Sequence, residues 1–256
     1  MTPAEEFRQL HASGVLVLPN AWDVASARLV ERAGARAVAT TSGAVAWSLG
    51  VPDGDRLPLD LLAGAVGRIA AAVAVPVTAD VESGAPDVAA TVRAVTAAGA
   101  VGINIEDGGG PAAAHADRIA AAREAGGPEL FVNARTDLFL LGIGDPADRL
   151  PETISRAAAY AEAGADGIFV PGVLDPAVLG TLVAEIALPV NVLAGPGGPA
   201  VAELAALGVR RVSVGTALAE SAYGAAERAA VELLGAGTYG AMAGGLGYGD
   251  LQKLLD

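Results

Sequence analysis

The strongest constraint on this chain is a pattern that repeats from end to end. A short run rich in Val and Ile leads into a polar or Gly-containing turn, then an Ala-rich amphipathic stretch, then Gly-Ala or Gly-Val. The runs read as strands: VLVLPNAWD from Val15, AVATTSG from Ala37, VPVTADVESG from Val75 and VGINIEDGG from Val101. Four more follow: LFVNARTD from Leu130, GIFVPGV from Gly167, LPVNVLAG from Leu188 and RRVSVGTA from Arg210. Eight runs in 256 residues give 32 residues per unit, about one strand–helix module. The runs are apolar without strict alternation, as parallel strands covered on both faces are. Between them, stretches such as DVASARLVERAG and DVAATVRAVTAAG open with an Asp N-cap and close on Gly. Eight such units predict a (β/α)8 TIM barrel, with an open doubly wound sheet as the alternative. No Ser/Gly-rich linker divides the chain, so residues 1–256 read as a single barrel domain with a Gly-rich tail from about 235. That tail ends in DLQKLLD and is either frayed or docked on a partner subunit.

Composition narrows the chemistry. Lys plus Arg is 16 and Asp plus Glu is 29, a net charge of −13 with no basic run, which argues against nucleic acid and anionic membranes as partners. There is no Cys, so disulfides, thiolate metal sites and a cysteine nucleophile are excluded. The one Lys, Lys253, lies near the C-terminus, away from any Schiff-base or P-loop position. His11 and His115 are too few for a His-rich metal site. His11 reads as structural, and His115 reads as a residue on a solvated first helical turn, with a mobile acid on a lid as the alternative. The apolar stretches are interrupted by polar residues, Gly or Pro, and the N-terminus MTPAEEFRQL has no signal-peptide character, so the expected location is cytoplasmic. Any chemistry must come from carboxylates, Arg, hydroxyls, backbone groups and a hard metal ion.

In a barrel enzyme the active site sits at the C-terminal ends of the strands. Here those ends carry Asp80 and Glu82, Glu106 and Asp107, and Asn133, Arg135 and Asp137. Thr78, Asp80 and Glu82 share a face if the strand stays regular, as do Asn104 with Glu106 and Asn133 with Arg135. Three carboxylates and a guanidinium then converge at one mouth. Crowded carboxylates repel unless a cation neutralises them, and oxygen ligands without His or Cys suit Mg²⁺. The plainer reading makes each acid a helix cap or first-turn residue. Arg135 could clamp a substrate carboxylate in bidentate fashion or pair with Asp137 or a neighbouring acid. Thr40 to Gly43 opens a long loop whose hydroxyls and N–H groups could form an anion pocket, and Trp22 and Trp47 lie in loops at the mouth.

The segments TTSGAVAWSLGVPDGD, VPVTADVESG, VGINIEDG, NARTD, GADGIFVPG, LPVNV and GVRRVSVG, in this order, resemble the isocitrate lyase and phosphoenolpyruvate mutase superfamily. The resemblance implies a (β/α)8 barrel, usually with its eighth helix exchanged between subunits in dimers or tetramers. It implies Mg²⁺ or Mn²⁺, a 2-oxo or 2-hydroxy carboxylate substrate, and a metal-stabilised enolate. It makes Asp80 a metal ligand and aligns Glu82 with a second Asp of many members. Glu106 and Asp53 would hold the metal's water shell. Ser42, Gly43 and Ala44 would bind the substrate carboxylate or oxyanion, and Arg135 and Asn191 would contact substrate. After Glu106, however, the chain reads DGGGPAAAHADRI, without the Cys, Lys, Asn or Ser of the family's lids, and Pro171 stands where a His or Glu is common after the sixth strand.

The expected activity is therefore Mg²⁺-dependent cleavage of a C–C bond in a small 2-oxo or 2-hydroxy (di)carboxylate, by decarboxylation or retro-aldol-type cleavage. P–C mutase or hydrolase chemistry is the second enzymatic reading. A catalytically silent paralogue that binds a carboxylate is the reading outside catalysis.

Overall fold

The computed structural model describes residues 1–256. Its strands are β1 (Leu16–Leu18), β2 (Asn20–Ala21), β3 (Val38–Thr40), β4 (Val77–Asp80) and β5 (Gly102–Glu106). They continue with β6 (Phe131–Arg135), β7 (Gly167–Phe169), β8 (Val190–Leu193) and β9 (Arg211–Ser213). The helices are α1 (Pro3–Ala12), α2 (Val24–Arg32), α3 (Ser42–Ser48), α4 (Leu59–Ala72), α5 (Val88–Ala97) and α6 (Ala112–Gly126). After them come α7 (Arg149–Glu162), α8 (Pro176–Glu185), α9 (Val201–Ala206), α10 (Ala217–Gly235) and α11 (Tyr248–Leu255), with a 3-10 turn at Gly240–Met242.

All pairings are parallel, in the order β1-β9-β8-β7-β6-β5-β4-β3-β2. β1 pairs with β9 while β2 pairs with β3, so the Leu16–Ala21 segment joins the two ends and the sheet forms a nearly closed (β/α)8 barrel. The first run is two strands rather than one because Pro19 has no N–H to give the ladder. Its carbonyl still accepts the Ala39 N–H, at 3.2 Å.

Polarity alternates along the strands more cleanly than their overall apolar character indicates. Ala79, Ile103, Ile105, Val132, Ala134, Ile168, Val192 and Val212 belong to the main core of 27 buried residues between sheet and helices. Burying a Val or Ile side chain stabilises the fold by about 1.5–3 kcal/mol. The intervening positions, among them Thr78, Asp80, Asn104, Arg135, Asn191, Arg211 and Ser213, line a cleft inside the barrel. Thr2 and Glu5 form a capping box that starts α1, and α1 packs Phe7 and Leu10 against Leu16, Leu18 and Phe131. A Cβ at Gly102 would come within 2.9 Å of the Phe7 ring and 3.0 Å of Thr78 Oγ1, so only Gly fits beneath that contact. Asp23 and Asp87 cap α2 and α5, and Gly34 and Gly99 follow these helices at φ 101° and 106°.

Several local expectations change. Ser42 opens α3 rather than a loop, and Trp47 lies on that helix. His115 is fully buried on α6, stacked edge-on against Tyr160 at 4.7 Å, rather than solvated. The last helix, α11, lies against α2 with Leu254 buried. No helix is long and apolar enough to cross a membrane.

Candidate active site

The cleft, about 530 Å³, opens at the C-terminal ends of the strands. Ser42, Asp53, Asp80, Arg135 and Asn191 line it. Gly43, Ala44, Glu82 and Glu106 are not among the residues that line it. Gly43 is required by close approach: a Cβ there would sit 3.0 Å from Thr216 Cγ2 and 3.1 Å from Asp53 Oδ2. Gly43 and Ala44 provide first-turn N–H groups for which α3 itself has no carbonyl. The Ser42 N–H is already committed to Asp80 Oδ2, at 3.1 Å.

Asp80 ends β4 and is held from several sides. Its other oxygen accepts from Asn104 Nδ2 at 3.1 Å, and its backbone N–H donates to Thr40 Oγ1 at 2.9 Å. Asn133 Nδ2 donates to Asn104 Oδ1 at 3.0 Å and to Asn191 Oδ1 at 3.1 Å. Asn191 Nδ2 in turn reaches Ser213 Oγ at 3.2 Å. A chain of amides thus crosses the barrel and ends on Asp80.

Glu82 does not continue the β4 alternation. It adopts φ 52°, a left-handed conformation, and its carboxylate accepts from the N–H of Asp55, itself at φ 53°. Ser83 N–H donates back to Asp55 Oδ1 at 3.2 Å, so the segment between α3 and α4 and the turn after β4 clasp one another. Two non-glycine residues in this sparsely populated region mark backbone held by its surroundings, as at ligand sites. Burial is the main cause lifting the Glu82 carboxyl to about 7; the Asp55 N–H opposes it, and Asp53, Asp55 and Asp80 add repulsion. Burial likewise lifts Glu106 to about 8, with Arg135 opposing and Asp80, Asp137 and Glu82 reinforcing.

Arg135 joins both expected roles in one place. It lines the cleft, yet Nη1 lies 2.7 Å from Glu106 and Nε lies 2.7 Å from Asp137. Burial disfavours its charge, but Glu106, Asp137 and Asp80 outweigh burial and raise its pKa. Asp107 is a structural hub: it accepts from the N–H groups of Asp137 and Gly109, from Arg156 and from Tyr160. Burial works to raise its pKa, and these bonds overcome that to hold it low. Trp22 packs on Tyr223, and neither Trp22 nor Trp47 lines the cleft.

No three acidic or His side chains converge closely enough to hold an ion among themselves. The donor set still fits a hard cation bound through one carboxylate and water. Asp80 is oriented by two donors, and Glu82 and Glu106 are carboxyls whose charge is disfavoured chiefly by burial and further by neighbouring acids.

Residues 7–234 match the family model described as phosphoenolpyruvate phosphomutase. The chain belongs to the phosphoenolpyruvate phosphomutase family. Among family relatives, an uncharacterized protein of Mycobacterium tuberculosis is 43% identical over 220 residues, covering 82% of this chain and 81% of the relative. An oxaloacetate decarboxylase of Rhodopseudomonas palustris is 36% identical over 203 residues, covering 75% and 69%. A putative lyase/mutase of Burkholderia cenocepacia superposes with TM-score 0.88 at 40% identity, covering 98% of this chain and 95% of the other. A phosphonopyruvate hydrolase in complex with oxalate and Mg²⁺ superposes with TM-score 0.86 at 26% identity, covering 99% and 95%.

Two lining residues had no role in the motif pattern. Asn20 accepts the N–H groups of Val214 and Gly215 at 3.0 and 2.9 Å, tying β2 to the turn after β9. Arg211 is 3% exposed, and its Nε and Nη1 have no partner. Burial lowers its pKa to about 9, opposed by the charge of Asp80. The available signal was parity: Arg211 shares the inward face with Ser213, whereas Arg210 does not.

Proposed function

We propose that this protein is a divalent-cation-dependent lyase that cleaves a C–C bond in a small 2-oxo or 2-hydroxy carboxylate. The observation that carries this reading is Asp80, held by Ser42 and Asn104 at the mouth of a barrel cleft and surrounded by suppressed carboxyls. Asp80 would hold Mg²⁺ or Mn²⁺ directly, with Asp53, Glu82 and Glu106 holding its waters. Such an ion supplies positive charge for an anion developing on the substrate's C2 oxygen. The Ser42 hydroxyl and the Gly43 and Ala44 amides would bind the substrate carboxylate. Arg135 would add a cation on the opposite wall while keeping Glu106 in place. For a 2-oxo substrate the pair of the breaking C3–C4 bond would become the C2–C3 double bond of an enolate, with the C4 carboxylate leaving as CO₂ and a solvent proton later added at C3. For a 2-hydroxy substrate the hydroxyl proton would be lost to solvent as the C2–C3 bond breaks, C2 becoming a carbonyl and the pair leaving on C3. Neither route needs a covalent nucleophile. The Mg²⁺–oxalate complex of phosphonopyruvate hydrolase supports the cation and the carboxylate ligand, and the oxaloacetate decarboxylase relative supports carbon–carbon cleavage.

The short turn Asp107–Pro111 between β5 and α6 contributes no side chain able to handle a phosphoryl group, which favours C–C over P–C cleavage. We assign the protein to the cytoplasm and to a homodimer or homotetramer. The assembly rests on exposed apolar side chains along α10 and beyond it, including Val231 at 67%, Leu234 at 86% and Tyr248 at 80%.

The test is incubation with Mg²⁺ and a panel of 2-oxo and 2-hydroxy mono-, di- and tricarboxylates plus phosphonopyruvate, following pyruvate, glyoxylate, CO₂ and phosphate. Mg²⁺-dependent release of a carbon fragment from a carboxylate is expected. Phosphate release alone would move the chemistry to the P–C bond. Binding without any product would make the protein a silent paralogue.

A further inference from the structure

The guanidinium of Arg211 occupies an unusual position. β9 is the last strand of the barrel, and Arg211 is its first residue, pairing with Leu16 on one side and Asn191 on the other. It lies two residues before Ser213 and shares its inward face, so it lies deeper in the cleft. Thr78 lies correspondingly deeper than Asp80 on β4, lines the same cleft, and has a buried hydroxyl without a partner. No ion pair or hydrogen bond from the Arg211 guanidinium is present, although the side chain is almost wholly buried. The other arginine on this cleft wall, Arg135, is paired twice.

A buried cation without a partner is costly, and a protein retains one where a ligand completes it. The planar fork of Arg suits a carboxylate, and the Thr78 hydroxyl is a second unclaimed group beside the same space. Asp80 and Ser42 mark the outer level of the cleft, so one molecule spanning both levels carries an acidic group at each end.

We propose that Arg211, with Thr78, receives a second carboxylate of the substrate and so selects dicarboxylates over monocarboxylates. This rests on the reading of the Asp80 level as the site for a 2-oxo or 2-hydroxy carboxylate head. Arg211 is then a specificity residue, and Arg135 is principally the partner of Glu106 and Asp137.

The test compares malate with lactate, which share a 2-hydroxy carboxylate head and differ in the second carboxylate. Affinities of both are measured by calorimetry with Mg²⁺ present, on the full chain and on Arg211→Met and Arg211→Lys, together with melting temperatures. The wild type is expected to favour malate by roughly 30-fold, the worth of a charge-assisted bidentate contact. In Arg211→Met the ratio should fall below about threefold, and the melting temperature should hold or rise because a buried unpaired charge is gone. Arg211→Lys should give an intermediate ratio, and it decides the matter if the Met variant does not fold.

A ratio retained in both variants overturns the proposal, as does a wild type that does not prefer malate or does not bind it. A lower melting temperature with the ratio retained would make Arg211 a structural counter-charge to Asp80. If the ratio falls as expected but no carboxylate is turned over, the role of Arg211 stands and the lyase reading fails.

Discussion

The side-chain amide of Asn104 donates to Oδ1 of Asp80 at 3.1 Å, and Asn104 is itself fixed by Asn133 at 3.0 Å. The carboxylate proposed to hold the cation is therefore oriented by a residue on the neighbouring strand, which is oriented by one on the strand beyond. Groups that aim a ligand in this way typically change metal affinity by 10–100-fold when removed. Asn104→Ala should weaken Mg²⁺ binding by about that factor, read by calorimetry. Unchanged affinity would mean that Ser42 alone positions Asp80.

Arg135 has a structural burden that its motif does not reveal. Removing it leaves Asp137, 1% exposed in its side chain, without a counter-charge. Loss of one partner from a buried pair costs about 3–5 kcal/mol. Arg135→Ala should therefore lower the melting temperature by on the order of 10 °C, with Arg135→Lys in between. A variant as stable as the wild type would show that Arg135 is held for substrate alone.

Acid stability should depend on the buried histidines. Burial first, then neighbouring Arg side chains, hold His115 and His11 at about 4, against 6.5 in the unfolded chain. Below pH 6.5 the unfolded chain binds these protons and the folded protein does not, so stability falls as pH drops from 6.5 toward 4. Each His contributes about 3 kcal/mol across that window. Urea unfolding of wild type and His115→Leu at pH 7, 6, 5 and 4 should show a shallower loss in the variant. Parallel curves would place the titration elsewhere.

Much of this architecture is legible in the sequence, because parallel strands and capped helices follow local rules. Asp23 and Asp87 cap where the pattern places caps, and Asp80 at the end of β4 lines the cleft. The exceptions arise where tertiary contacts override local pattern. Pro19 divides a strand through its missing N–H, and the clasp with Asp55 turns Glu82 out of register. His115 is buried because α6 turns it toward Tyr160, a residue 45 positions later (160 − 115). Arg211 lies in a run that looks like any barrel strand, and only the closed sheet shows that its guanidinium has no partner.

The C-terminal region should decide assembly. Val231, Leu234 and Tyr239 leave an apolar surface along the end of α10 and the residues after it. Deleting the chain after Glu232 should shift sedimentation to smaller species or precipitate the protein. An intact chain that sediments as a monomer would contradict the assignment of a homo-oligomer.

Asp80 is proposed to make this cleft a cation-dependent site for carbon–carbon cleavage. Turnover of the best carboxylate in the panel, measured against Mg²⁺ concentration for wild type and Asp80→Ala, tests it most directly, with melting temperature as the check on folding. The account predicts saturable Mg²⁺ dependence in the wild type, loss of activity with chelator, and no turnover by a folded Asp80→Ala. At a hundredfold excess of ion over its dissociation constant, the wild type alone should gain about 2.7 kcal/mol of stability. Equal turnover and equal Mg²⁺ response in the two proteins would contradict it.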